Sequence, residues 1–220
     1  IHEQVLNTQS TDELMGLYED WAADYDRDVN ETWGYSGPDR TLYWLQQYVE
    51  ADGARILDAG CGTGLVAVAL AQGGFTHIDG IDYSQAMLGE AAKKGVYQTL
   101  SQMNMNEALP IATGTYDGVT CVGTFTSAHV IPEALNELVR VTRDGGTVCC
   151  TVREEYWRET DFADELNRIV SSGRAQVKQL CDAPYVHSEE LSLKFGDPSD
   201  TTETRFAKFC VKEWTPLPPS

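Results

Sequence analysis

Apolar positions in this chain recur first at helical spacing and then in alternating strand and helix patterns. Leu14, Leu17, Tyr18, Trp21 and Tyr25 form one apolar and aromatic stripe, and Ser10 with Glu13 supplies a capping-box start before it. A polar, turn-rich stretch follows over 26–37. Pro38 suits a first helical turn, and Leu42, Leu45 and Val49 continue a second helix that Asp52-Gly53 ends. The pattern then changes. A short strand over 55–58 runs through a glycine turn into an apolar helix over 65–71, which Gly73-Gly74 stops. A strand over 77–81 precedes a helix that Ser84 caps, that carries Met87, Leu88 and Ala91, and that stops at Gly95. Further strands are predicted over 97–101, 116–122 and 147–152. A helix over 132–141 and a turn at Asp144-Gly145-Gly146 separate the last two. A helix over 156–172 and two weaker strands over 177–180 and 206–211 complete the pattern, with 216–220 read as a frayed tail.

Strands alternating with helices predict an α/β fold: a mostly parallel, doubly wound sheet with helices on both faces. A chain of 220 residues suits one such domain over 1–220, without internal repeats or a dividing linker. Its expected parts are an N-terminal helical segment over 1–50, a central α/β core over 51–152 and a C-terminal part over 153–220. No run reaches the roughly 18 to 20 apolar residues a membrane-spanning helix needs. The opening Ile1-His2-Glu3-Gln4 is neither basic nor apolar, so no signal peptide is expected. It also lacks an initiator Met, so the start is expected to be trimmed.

Charge narrows the partners. The formal net charge is −18, from 34 acidic against 16 basic residues. Such a surface repels phosphate backbones and anionic lipids, which weighs against nucleic acid or membrane as substrate. An acidic rim favours cationic small molecules, although acidity also serves solubility alone. The six cysteines include no C-x-x-C pair and no metal-ligand spacing, so reduced thiols in a cytoplasmic compartment and no bound metal are expected. Cys149 and Cys150, adjacent in a strand, should point to opposite faces of the sheet.

The candidate chemistry lies between the first strand and the helix after it. Ile56-Leu57-Asp58-Ala59-Gly60-Cys61-Gly62-Thr63-Gly64 places three glycines where the backbone must turn tightly and where a ligand can approach the main chain. In an open parallel sheet, the crevice beyond the strand ends is the ligand site. A dinucleotide fingerprint, G-x-G-x-x-G, requires a third glycine at position 65, which is Leu65. Asp82 ends the second strand, where a carboxylate can accept hydrogen bonds from both hydroxyls of a ribose. On its own it could equally cap the next helix. Tyr83 and Met87 follow one helical turn apart and could flank an adenine ring, or Met87 could belong to the core.

These residues resemble the class I S-adenosylmethionine-dependent methyltransferases, whose first motif is an acidic residue followed by G-x-G-x-G. The resemblance runs from about Tyr18 to Val152. Leu109-Pro110 and Tyr116-Asp117-Gly118-Val119 look like later motifs, and Arg143-Asp144-Gly145-Gly146 stands where the family has a "kPGG" turn. Within the class, Tyr18-Glu19-Asp20-Trp21-Ala22 with Tyr25-Asp26, and Gly64-Leu65-Val66-Ala67, are most similar to the methyltransferase-like proteins of the Williams-Beuren region and their small bacterial relatives. The resemblance implies a Rossmann-like seven-stranded sheet in the order 3-2-1-4-5-7-6 with an N-terminal helical lid. It implies S-adenosyl-L-methionine as cofactor. Asp58 would orient the glycine loop, and Gly60 would meet the methionine end of the cofactor. Asp82 would hold the ribose, with Tyr83 and Met87 beside the adenine. Ala59, Cys61, Gly62, Gly64, Met105, Val122 and Gly123 complete the implied cofactor site. Asn104 stands near the place of an Asp that takes the adenine amino group. The stripe of Tyr18, Trp21 and Tyr25 reads either as the lid over the cofactor or as a plain core stripe.

Methyl transfer from a sulfonium is an in-line displacement, so alignment and exclusion of water matter most. The loop Gly123-Thr124-Phe125-Thr126-Ser127-Ala128-His129 occupies the acceptor side by resemblance. It lacks the Asn/Asp-Pro-Pro-aromatic signature of enzymes that methylate adenine or amide nitrogen. The Pro-Cys of cytosine enzymes is also absent, because Thr120 precedes Cys121. His129 is a candidate general base or a histidine packed at a loop-helix junction. Tyr156 with Trp157 could line an acceptor pocket or belong to the core, and further on Tyr185 and His187 could join them or lie on the surface. The expected activity is methyl transfer to a small-molecule acceptor. The rival readings are a protein methyltransferase and a cofactor-binding protein without catalysis.

Overall fold

The computed structural model describes residues 16–17, 21–22, 24–28, 36–126, 130–184 and 206–213. The proposed capping box, Tyr18, His129, Tyr185, His187 and the tail over 216–220 lie outside the described residues.

Helix α1 (Gly37–Leu45) starts with Pro38 in its first turn, where the missing N–H removes nothing from the helix. It ends at Leu45, earlier than the apolar spacing predicts. Gln46–Tyr48 form a turn, and Val49 is buried just beyond it. Strand β1 (Arg55–Ala59) leads through the glycine turn into α2 (Leu65–Gln72), and β2 (His77–Asp82) leads into α3 (Gln85–Lys93). The predicted cap on α3 is present, with Ser84 Oγ accepting from the Met87 N–H at 3.3 Å. Strand β3 is Thr99–Gln102 and β4 runs over Tyr116–Phe125, three residues further than the pattern suggests. Helix α4 is Ala134–Val141 and β5 is Thr142–Arg153.

Two expectations are corrected here. Asp144-Gly145-Gly146 is not a free turn but lies within β5, where its pairing with β4 shifts register between Tyr116 and Gly118. A Cβ at Gly146 would stand 2.7 Å from the Asp117 carbonyl oxygen, so the glycine permits close approach of two strands. The single helix over 156–172 is two helices, α5 (Glu154–Glu159) and α6 (Phe162–Ser171). Thr160 causes the break. Its backbone is extended, and its hydroxyl donates to the Tyr156 carbonyl at 2.7 Å and accepts from the Phe162 N–H at 3.3 Å.

With β6 (Gln176–Pro184) and β7 (Phe206–Glu213), the strands form one sheet in the order β3-β2-β1-β4-β5-β7-β6. Strands β1 to β5 pair in parallel, and β7 runs antiparallel to both β5 and β6. Parallel strands buried on both faces read as nearly continuous apolar runs. Alternate residues therefore serve two cores. Leu57, Val119, Cys121, Val148 and Cys150 pack with Leu135, Leu138, Phe162 and Ile169. Ile56, Ile78, Val122 and Cys149 pack with Leu45, Ala67 and Leu70. Cys149 and Cys150 thus serve opposite faces, as strand geometry requires. No helix among the described residues is long and apolar enough to cross a membrane.

Candidate functional site

The glycine turn is shaped by positive backbone angles that side chains resist. Gly60, Gly62 and Gly64 have φ of +70°, +53° and +91°. The Gly60 and Cys61 N–H groups both donate to the Ile81 carbonyl, at 2.8 and 3.0 Å, which ties the turn to the end of β2. The constraint at Gly60 is also steric. A Cβ there would lie 2.6 Å from Thr124 Oγ1 and 3.2 Å from Met105 Cε. The turn, the end of β4 and the segment after β3 therefore converge closely.

Where they converge is a cavity of about 240 Å³ at the C-terminal edge of the parallel strands. Tyr25, Gly60, Cys61, Gly62, Asp82, Tyr83, Met87, Asn104, Met105, Val122 and Gly123, all predicted from sequence, line it. Thr63, Leu65, Val66, Met103, Asn106, Thr124 and Val130 line it as well. The sequence reading left these out of the cofactor site, although it set Thr124 in the loop on the acceptor side. Thr63, Leu65 and Val66 adjoin the glycine motif, so position alone signals them, whereas Met103, Asn106 and Val130 belong to irregular segments with no motif.

Four other predicted residues take different places. Trp21 is buried, donating through Nε1 to Asp28 at 2.9 Å and meeting Tyr25 edge-on at a centroid distance of 4.7 Å. Ala59 is wholly buried in the core. Gly64 stands at the start of α2, where an added Cβ would meet the Tyr97 ring at 3.1 Å. Asp58 is buried behind the turn, its carboxylate accepting from Tyr97 Oη at 2.8 Å and from Thr120 Oγ1 at 2.9 Å. Burial raises its pKa from 3.8 to about 6, against the pull of those two hydroxyl donors. Burial likewise raises the Tyr97 phenol and the Cys61 thiol, each further disfavoured by the Asp58 charge.

Asp82 takes the helix-entry role and also ties down the glycine turn. Its Oδ1 accepts from the Ser84 N–H at the entry to α3, and its Oδ2 accepts from the Gly62 N–H, both at 2.8 Å. A carboxylate offers about four lone-pair positions, so these bonds do not exhaust its acceptor capacity, and Asp82 lines the cavity. Burial moves its pKa up, and the main-chain donors oppose that shift. Asn104 uses its side-chain oxygen to accept from the Asn106 N–H at 3.0 Å and its amide to donate to Glu107. One lone pair of that oxygen is thus engaged in a turn.

Of the two readings of Tyr156 and Trp157, acceptor-pocket wall or core, the structure favours the core. Tyr156 is buried against Phe125 and Phe162, and its hydroxyl donates to the Val130 carbonyl at 2.6 Å. Trp157 packs on the same core beside Phe162. Apolar spacing does not distinguish a cavity wall from a core face one layer behind it. Among the described residues, no group of three His, Cys, Asp or Glu side chains is placed to hold a metal.

Residues 56–146 match the family described as a methyltransferase domain. Human methyltransferase-like protein 27 is 42% identical over 142 residues, covering 63% of this chain and 57% of that protein. EEF1A lysine methyltransferase 2 of Danio rerio is 31% identical over 137 residues, covering 56% of this chain and 59% of that one. The chain thus spans little more than half the length of these curated relatives. Among solved structures, magnesium protoporphyrin IX methyltransferase from Synechocystis, with S-adenosylmethionine bound, has a TM-score of 0.57 at 18% identity. The match covers 80% of this chain and 77% of that one, and it is a likeness of fold.

Proposed function

We propose that the chain is a class I S-adenosylmethionine-dependent methyltransferase, a reading supported by its match to a methyltransferase domain and its similarity to methyltransferase-like protein 27, and that it transfers the cofactor's methyl group to a small-molecule acceptor. The observation that carries this reading is one cavity shared by the glycine turn, Asp82 and a largely apolar second wall of Met103, Met105, Val122 and Val130. The residues present suit the cofactor. Gly60 leaves main chain exposed where any side chain would collide with Thr124, and Asp82 retains acceptor positions for ribose hydroxyls. Tyr83, 44% exposed, and Met87 offer apolar surface to a base. Bound there, S-adenosylmethionine supplies an electrophilic methyl group on a sulfonium.

In this proposal Gly60, Cys61, Gly62 and Asp82 bind and orient the cofactor, and Asp58 stiffens the turn from behind through Tyr97 and Thr120. Tyr25 forms the aromatic wall on the N-terminal side with Trp21 packed against it, and Met103, Met105 and Val130 exclude water from the acceptor. His129 is the proposed general base for an acceptor that holds a proton at working pH. The acidic surface favours a cationic acceptor over nucleic acid or an anionic membrane. A reducing, cytoplasmic setting belongs to the same proposal, supported by the buried thiols of Cys61 and Cys121.

A second reading, methylation of a protein side chain, is supported by the similarity to EEF1A lysine methyltransferase 2. Incubation with methyl-labelled S-adenosylmethionine separates the two. Label entering a pool of small metabolites supports the first reading, and label entering only a proteome overturns it in favour of the second. No label in either pool, despite cofactor binding, leaves a binding protein without catalysis.

A further inference from the structure

Asp26 does not line the cavity, yet three elements that border it meet on this side chain. Asp26 Oδ1 accepts from Thr63 Oγ1 at 2.5 Å, and Asp26 Oδ2 pairs with Lys94 Nζ. Thr63 belongs to the glycine turn, is 2% exposed and lines the cavity. Lys94 closes the C-terminal end of α3, whose first turn brings Met87 to the cavity. Asp26 itself follows Tyr25, the cavity's wall on the N-terminal side, within the helical residues 24–27. Tyr25 rests edge-on against the buried Trp21.

We infer that Asp26, acting with Lys94, is a positioning residue for cofactor binding: with Thr63, the pair latches the N-terminal helical stretch to the glycine turn and to the end of α3, and so holds Tyr25 as a wall of the cavity. This inference rests on the reading of the cavity as the cofactor site. The side chains of Lys94 and Asp26 are only 28% and 30% exposed, so water screens the pair less than an open surface pair. The hydroxyl of Thr63 fixes the other carboxylate oxygen, which sets the direction of the ion pair as well as its strength. A ligand that needs Tyr25 in place binds with an apparent affinity scaled by the fraction of chains in which the latch is closed. Weakening the latch lowers that fraction without removing any group that touches the ligand.

The test is calorimetric titration of the chain and its variants with S-adenosylhomocysteine. Asp26→Asn keeps an acceptor for Thr63 but removes the charge, and Lys94→Met removes the partner. Each should weaken binding by roughly three- to tenfold, and the double variant by no more than either single one, because both remove one interaction. Lys94→Arg should retain near wild-type affinity. S-adenosylhomocysteine has no net charge at neutral pH, so raising ionic strength should weaken binding to the wild type and leave Asp26→Asn unaffected. The melting temperatures of the ligand-free variants should stay near that of the wild type. Single variants that bind like the wild type, effects that add in the double variant, or a loss of ligand-free stability matching the loss of affinity would each overturn the latch. A wild-type chain that binds no S-adenosylhomocysteine overturns the cofactor reading itself, a different outcome from the failure of the latch.

Discussion

Replacing Asp58 by asparagine should change how stability depends on pH, and the structure sets the size of the effect. Asp58 is 1% exposed, and its ionised form must be carried in the interior with the Tyr97 and Thr120 hydroxyls as its side-chain donors among the described residues. Burial outweighs those donors and raises the pKa from 3.8 to about 6. At roughly 1.4 kcal/mol for each tenfold change in proton affinity, the rise corresponds to about 3 kcal/mol. The folded chain therefore binds this proton more tightly than the unfolded chain does. The stability that follows is fully present below about pH 4 and is lost as pH rises through about 6. The asparagine of Asp58→Asn cannot titrate, and its oxygen and amide can serve the two hydroxyls once these rotate. Urea unfolding of both proteins should be measured from pH 4 to pH 7.5 at constant ionic strength. The stability of the wild type minus that of the variant should fall by roughly 2 to 2.5 kcal/mol across that range. The many surface carboxylates of this acidic chain titrate in both proteins and cancel in the difference. A difference that stays level within roughly 0.5 kcal/mol, near the error of such extrapolations, would falsify the assignment of a raised pKa to Asp58.

Three further outcomes bear on the cavity. Asp82→Ala should lose on the order of 2 to 3 kcal/mol of S-adenosylhomocysteine binding by calorimetry, about a hundredfold. Unchanged affinity in the folded variant would return Asp82 to the role of a helix-entry acceptor alone. Gly60→Ala places a side chain at φ +70° and within 2.6 Å of Thr124 Oγ1. It should lower stability by about 1 to 2 kcal/mol and weaken ligand binding, and Thr124→Ala in the same chain should recover only part of each, since relieving the clash leaves the backbone strain. Once an acceptor is known, His129→Ala should reduce turnover by about 10² to 10⁴ with cofactor affinity nearly intact. The wild-type rate should rise with pH as imidazole becomes neutral. Turnover that survives the substitution, or affinity and stability that fall with it, would remove His129 from the chemistry.

Much of this molecule is determined by local chemistry that the sequence displays directly. The alternation of apolar strands and helices dictates a mostly parallel α/β sheet, because strands apolar on both faces need helices on both sides. Ser84 declares a helix start through its own hydroxyl, and Gly60, Gly62 and Gly64 declare a turn that only residues lacking Cβ accept without strain. Most of the cavity's lining follows from those two points, since the turn and the end of β2 are short-range features with fixed neighbours. Other features depend on groups far apart in the chain. Tyr156 and Met103 are both apolar residues beside a strand, and only packing decides that Tyr156 is buried against Phe125 and Phe162 while Met103 faces the cavity. Thr160 divides a continuous helical pattern because its hydroxyl can serve the helices on both sides, a choice propensity does not reveal. The meeting of Asp26, Thr63 and Lys94 joins residues 37 and 68 positions apart in the chain. No local spacing encodes it. Charges and hydroxyls on separate segments become partners only when the sheet has brought those segments to the same edge.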